Sequence, residues 1–416
     1  MLRTNTLELK PTKQQQRILR EMLVRSSAIW NVGNYKKRQA FFNNDKRIPS
    51  YAKLCKELKS HELYKSLGSA YSQQMLKKLD KSWKSFWKSL TSENVEHKVS
   101  IPSYFKNYKT NQTLPKLLIC RNDCYRIDDN YIHISCSKDL RKEFRIKRLL
   151  KIQYNGIRKW VGVKKSMEIK YIPYSKKFYA YRTEELALTP IDSKEENICS
   201  IDLGIKRYIT AYIKNSKDFC LLYESDHIFQ QYLNISKRLA YYQAIAKKEN
   251  NKYSTHRIRR LYLKRKRNLS NCLNNILAYL FRKLKTYHIS TIIIGDLTGI
   301  RDSQIPKHYR NKKKINKMIH NFWSYHLFLK KIQHKCEEFR IDLILANESH
   351  TSSICPICNE KVTPNNRNFR CSHCGYEQDR DVVGSINILK NHIHDHQIDD
   401  MRVENYPLVS KILIEA

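Results

Sequence analysis

Two Cys-x-x-Cys pairs, Cys355/Cys358 and Cys371/Cys374, are separated by twelve residues. Four thiolates at that spacing suit one tetrahedral Zn²⁺, each turn presenting two sulfurs to the ion. The segment between them, NEKVTPNNRNFR, is polar and turn-rich and has no core of its own, so a metal would supply most of its folding energy. An all-Cys shell leaves no open coordination position, and the expected role is structural. A redox pair is the weaker alternative, and Lys361, Arg367 and Arg370 on the same segment could touch nucleic acid. Cys120, Cys124 and His133 are a second, much weaker metal set, since Cys is also a common buried hydrophobe.

Three carboxylates make the other candidate constellation. Asp202 ends the apolar run CSID, Glu348 directly follows IDLILAN, and Asp381 opens the pattern DVVGSINILK. Each has an ordinary explanation as a turn former, an acid just past a strand, or a helix N-cap. Their shared placement is less ordinary, because each lies at a strand end or a helix start within one alternating region.

The elements that would position them follow from periodicity. Residues 2–9 read as a strand, and Pro11 and Thr12 open a helix. Ile18, Leu19, Met22, Leu23, Ile29 and Trp30 keep helical spacing on it, and helical patterns run to about residue 92. Trp83, Phe86, Trp87 and Leu90 form an aromatic face there, expected to turn to the core, with Lys81, Lys84 and Lys88 outside. Over residues 99–187, short β-rich runs such as YIHISCS and KFYAYRT predict a small β-barrel or sheet. A polar boundary at 188–197 follows. From 198 the order is three strands (ICSIDL, RYITAYI, DFCLLYE), long helical segments with a basic run at 257–267, the strand STIIIGDL, an amphipathic helix over Ile315 to Phe339, the strand IDLILAN and a last helix. That is the RNase H-like order, in which carboxylates from separate elements hold two Mg²⁺ ions for in-line phosphodiester cleavage.

Composition points the same way. The chain has 79 Lys and Arg against 39 Asp and Glu, a formal charge of +40. Such a chain repels itself unless a polyanion neutralises it, and nucleic acid is the expected partner. No apolar run spans a membrane and no leader opens the chain, so the expectation is a cytoplasmic, nucleoid-associated protein with reduced cysteines.

Four motifs in order then resemble the TnpB family of transposon-encoded RNA-guided nucleases, ancestral to compact CRISPR effectors. SIDLGIKRYIT resembles the first RuvC-like motif, IIIGDLTGIR the second and DRDVVGSINIL the third, with the CPIC…CSHC ribbon between the last two. LKPTKQQQRILREML also resembles the family's start. The resemblance implies a multidomain α+β and α/β chain. A β-barrel wedge module (1–10 and 99–190) would carry a helical recognition insertion (11–98). A RuvC-like nuclease domain (198–349 and 377–392) would contain the zinc ribbon (350–376), followed by a C-terminal tail (393–416). It implies guide RNA and double-stranded target DNA as partners, two catalytic Mg²⁺ and one structural Zn²⁺. A nuclease-dead repressor of the same family, or a DNA transposase, is the alternative function.

The second motif departs from the family. Gly295 stands in the place of the usual Glu, with Asp296 after it. Neighbouring strand residues face opposite ways, so Asp296 is a poor substitute. Relatives with this loss supply the acid from the strand end before the zinc knuckle, the place of Glu348. The expected catalytic and Mg²⁺-binding set is therefore Asp202, Glu348 and Asp381. Val383 also stands where Asn is frequent.

Overall fold

A computed structural model describes residues 1–43, 47–91, 99–187, 197–204, 207–214, 219–224, 226–251, 253–296, 325–348, 350–364, 367–395 and 406–413. The domain boundary at 188–197, the end of the second motif after Asp296, a basic run at 307–317 and the first half of the expected helix over 315–339 lie wholly or almost wholly outside these residues. The chain divides into two compact units, Met1–Thr189 and Pro190–Ala416.

In the first unit, strand β1 (Leu2–Lys10) alternates exposed and buried residues, as a strand on one core must. Helix α1 (Lys13–Phe42) starts from a capping box, in which Thr12 and Gln15 satisfy each other's free amides. Helices α2 (Tyr51–Leu58), α3 (Glu62–Leu67) and α4 (Ser69–Leu90) follow. The expected aromatic face turns only partly inward: Trp83 is 1% exposed, whereas Trp87 and Leu90 keep 40% and 48%.

The remaining elements are β2 (Leu118–Cys120), β3 (Tyr125–Ile127), β4 (Tyr131–Ser135), α5 (Lys138–Phe144), β5 (Leu149–Asn155), β6 (Val163–Ile172) and β7 (Lys177–Glu185). With β1 the strands form an antiparallel sheet in the order β2-β6-β7-β1-β5-β4-β3. Its two edge strands, β2 and β3, are only four residues apart in the chain, so the sheet must curl until its edges approach. Tyr125 of β3 accordingly donates its hydroxyl to the Lys165 carbonyl of β6, at 2.7 Å.

The second unit is built on strands β8 (Asn197–Asp202), β9 (Arg207–Lys214) and β10 (Phe219–Glu224), an antiparallel meander. Helices α6 (Asp226–Asn250) and α7 (His256–Thr286) lead to β11 (Ile289–Asp296), which pairs parallel to β8. Helix α8 (Tyr325–Phe339) then leads to β12 (Asp342–Asn347), parallel to β11. Short strands β13 (Asn368–Arg370) and β14 (Glu377–Asp379) precede α9 (Arg380–Asp395). Residues 393–416 had no predicted element, yet Leu408–Leu413 forms β15, parallel to β10 at the sheet edge. The sheet order is β12-β11-β8-β9-β10-β15.

Strand parity sorts the two faces of this sheet. Cys199, Ile201, Ile292 and Ile294 pack with Leu273, Leu277 and Phe328 of α7 and α8. Ile198, Ile293 and Ala346 pack with Val382, Ile386 and Leu389 of α9. Among the described residues, no helix is long and apolar enough to cross a membrane.

Candidate functional site

The three parallel strands β8, β11 and β12 end together, since Ile201 pairs with Ile294 and Gly295 with Ala346. On the α9 face, alternation carries Ser200 to Asp202, Ile293 to Gly295 and Ala346 to Glu348. Ser200 donates its hydroxyl to the Ser385 carbonyl at 2.6 Å, joining β8 to α9. Gly384 lets this approach happen: a Cβ there would stand 2.9 Å from Asp202 Oδ2.

Asp296 faces the other way. The Tyr325 hydroxyl of α8 donates to its Oδ1 at 3.4 Å, on the face where α7 and α8 pack. Glu348 instead fills the space over Gly295. A Cβ at 295 would fall 2.3 Å from Glu348 Oε2 and 3.0 Å from its Cβ, so the side chain takes this position because residue 295 is glycine. The Glu348 Oε2 atom is buried and has no hydrogen-bond partner. Burial first, and the Asp296 charge second, push the Glu348 carboxyl up to about 7. Burial, then the Asp381 and Glu348 charges, push Asp202 up to about 8. Those mutual charges bring Asp202, Asp381 and Glu348 into one electrostatic cluster.

Asp381 was expected to open its helix, but α9 begins at Arg380 and the cap is Asp379, whose Oδ1 accepts the Asp381 amide at 2.9 Å. The Asp381 side chain is thereby left for other contacts. Arg207 of β9 bridges to Asp379 and reaches Asp381 Oδ2 at 3.3 Å, and Arg367 pairs with the same oxygen. Sequence reasoning missed Arg207 and Asp379, and it gave Arg367 to nucleic acid. The Asp379-x-Asp381 spacing was the available signal, because one acid can cap while the other turns outward.

The cysteine module adjoins α9. Sγ atoms of Cys355 and Cys374, and of Cys358 and Cys371, are 3.5 Å apart, and all four lie within 4.8 Å of one another. A tetrahedron with ~2.3 Å Zn–S bonds has sulfurs ~3.8 Å apart, so the set could hold a zinc ion. Backbone amides of Cys374 and His373 lower the Cys371 thiol to about 6, while burial raises Cys355 and Cys358 is pushed up to about 12. Among the described residues this is the one group of three or more Cys, His, Asp or Glu whose ligand atoms lie that close together, so Asp202, Glu348 and Asp381 would have to draw closer to share an ion. The weak alternative set is not among them: His133 Nε2 hydrogen-bonds Asp128 at 2.7 Å instead. Val383, which departs from the family pattern, packs in the core of this module with Cys355, Phe369, Cys371 and Tyr376. Asn387 of α9 donates to the Thr351 and Ile354 carbonyls at 2.7 and 2.8 Å, tying the knuckle to the helix that carries Asp381.

Residues 178–301 match a sequence family described as "Probable transposase", and residues 325–388 match one described as "Cas12f1-like, TNB domain". A TnpB-like protein of Acidianus two-tailed virus is 27% identical over 93% of this chain and 86% of its own length. A TnpB-like protein of Methanocaldococcus jannaschii is 32% identical over 30% of this chain and 43% of its own. Among solved structures, a Cas12f1–sgRNA–target DNA complex is similar over 93% of this chain and 98% of that one, with 14% identity and a TM-score of 0.35. CasPhi-2 (Cas12j) bound to crRNA is similar over 94% and 98%, with 9% identity and a TM-score of 0.43. The two sequence families follow one another in the order of the motifs, and the TnpB-like viral protein is similar to this chain across most of both lengths.

Proposed function

We propose that this protein is an RNA-guided DNA endonuclease cutting target DNA at the Asp202, Glu348 and Asp381 cluster. The observation that carries the reading is Glu348, a buried carboxylate with an orphaned oxygen, seated in the space that Gly295 leaves and close enough to Asp202 for their charges to interact. Leaving such a group unpaired costs several kcal/mol in a protein interior, which a divalent cation would offset. The sheet order, an antiparallel meander β8-β9-β10 with β11 and β12 added parallel beside β8 and β15 at the other edge, supports an RNase H-like, RuvC-like nuclease domain at 198–349 and 377–392 with the zinc ribbon at 350–376. The curled sheet interrupted by helices supports the wedge module at 1–10 and 99–190 and the recognition insertion at 11–98. The likeness to TnpB-like proteins and the charge of +40 support guide RNA and double-stranded DNA as partners, in an intracellular, nucleoid-associated setting.

All-oxygen carboxylate donors fit Mg²⁺, which prefers them and keeps several waters. When bound, two such ions supply activation of a water and stabilisation of the leaving oxygen. Asp202, Glu348 and Asp381 would hold them. Asp379 caps α9 and Arg207 braces Asp379 and Asp381, so the carboxylate is set before any ligand arrives. Tyr325 keeps Asp296 on the opposite face.

The test compares Glu348→Gln, which keeps size and hydrogen bonding but removes the charge, with Asp296→Asn. Glu348→Gln should abolish Mg²⁺-dependent cleavage and spare guided DNA binding, while Asp296→Asn should do much less. Near-parent cutting by Glu348→Gln with a dead Asp296→Asn would sink the assignment. A parent protein that binds guided DNA and never cuts would instead be the nuclease-dead repressor.

A further inference from the structure

Only four residues lie between Asp202, the last of β8, and Arg207, the first of β9. One hairpin therefore carries both a carboxylate of the cluster and a guanidinium beside it. Arg207 keeps 10% of its side chain exposed, and a cation so buried is costly unless it is paired. Asp379 supplies the partner, through an ion pair to Nη1 of Arg207. The same nitrogen stands 3.3 Å from Asp381 Oδ2. Arg367 pairs with that oxygen too, but 37% of its side chain is exposed and open to screening by water. Arg207 is the cation that stays, held between two carboxylates.

Asp379 has two tasks. Its Oδ1 accepts the Asp381 amide at 2.9 Å and caps α9, while its Oδ2 takes Arg207. Capping needs no charge, since asparagine caps a helix as well as aspartate does. The charge of Asp379 therefore serves Arg207. The pair is neutral overall, yet its positive member is the one that reaches Asp381 Oδ2. A divalent cation held by Asp381 would share that carboxylate with a charge of its own sign. In water a unit charge ~6 Å from a divalent ion changes the ion's affinity about tenfold, and salt screening removes part of that.

We propose that Arg207, set by Asp379, is a resident cation of the carboxylate site, a positioning residue that fixes Asp381 for cleavage and loosens the hold on the divalent ion there. This role rests on the nuclease reading, which makes Asp381 a metal ligand. It adds that metal affinity is adjusted by an ion pair which binds no metal itself.

The test titrates the full zinc-loaded chain, free of nucleic acid, with Mn²⁺ and follows the free ion by electron paramagnetic resonance. Guided cleavage at saturating Mg²⁺ is measured beside it. Arg207→Gln removes the cation and should tighten Mn²⁺ binding at least about fivefold. Asp379→Asn keeps the cap, removes the counter-charge and should weaken binding by about the same factor. The double variant restores the charge balance and should return to within about twofold of the parent. It should still cleave at least about tenfold more slowly, as Arg207→Gln does, because Asp381 is no longer fixed. Arg207→Lys keeps the charge and should keep the parent's affinity. Loss of packing alone would weaken metal binding in both single variants, and most in the double. Unchanged or weaker Mn²⁺ binding in folded Arg207→Gln overturns the role. So does a double variant no nearer the parent than the singles, or one that cleaves at the parent rate. Asp381→Asn separates this role from the nuclease reading. Weaker Mn²⁺ binding there, with a flat response in Arg207→Gln, defeats the resident cation alone. Unchanged binding in Asp381→Asn removes Asp381 from the ligands and takes the resident cation with it.

Discussion

Glu348 and Asp202 hold their protons far above the ordinary carboxylate range, at about 7 and about 8. The folded, Mg²⁺-free chain therefore binds protons at these groups that the unfolded chain has already released. Their contribution favours folding below the ordinary carboxylate range and is lost as pH rises through 7 to 8. A divalent cation takes the place of the protons, so its stabilisation should grow over the same window. Melting with and without Mg²⁺ at about pH 5.5 and about pH 8.5 checks this, with zinc retained throughout. The Mg²⁺-induced rise in Tm should be larger at the higher pH and should vanish in Asp202→Asn with Glu348→Gln. An equal rise at both pH values, or one that survives in the double variant, would contradict the assignment. The opposite facing of Gly295 and Asp296 was legible from strand parity, whereas Glu348 was pointed to by the resemblance to the TnpB family. Arg207 and Asp379 were not, because their pairing needs β9 and β14 to meet, and nothing in either segment announces the other.

At the level of elements, α9 is the part on which the site depends. One turn of it bears Asp381, the next carries Gly384 against Asp202, and Asn387 ties it to the cysteine module. Asn387 is 5% exposed, and Asn387→Ala leaves two buried carbonyls unpaired, each costing about 1–3 kcal/mol. The variant should keep its zinc by metal analysis, melt at a lower temperature and cleave more slowly. Cys371→Ser should lose the metal as well as the activity. Parent-level cleavage by zinc-free protein would show that the module does not support α9. Long periodic elements such as α7 and the buried strand β11 could be read directly from hydrophobic spacing. The strand β15 could not, because six residues in a polar tail acquire strand character only from β10, far away in the chain. The central place of β1 was hidden for the same reason, since its partners β5 and β7 come from residues 149–185.

For the whole molecule, the charge of +40 sets the conditions under which the chain is tractable. Protein purified with its own RNA should be monodisperse at low salt, and RNA-free protein should be salt-sensitive and prone to aggregate. Light scattering of the two preparations decides it, and stable, monodisperse RNA-free protein at low salt would count against nucleic acid as the neutralising partner. A different kind of constraint comes from the cradle at Gly295. Because a Cβ there would press on Glu348, a side chain in β11's place and the acid after β12 compete for one space. On the proposed assignment, a glutamate placed at 295 would compete with Glu348 for this space, and losing Glu348 would leave Asp202 and Asp381 without the third acid. On that assignment the two positions are epistatic: which residue stands at 295 decides what the side chain at 348 can do, and the reverse.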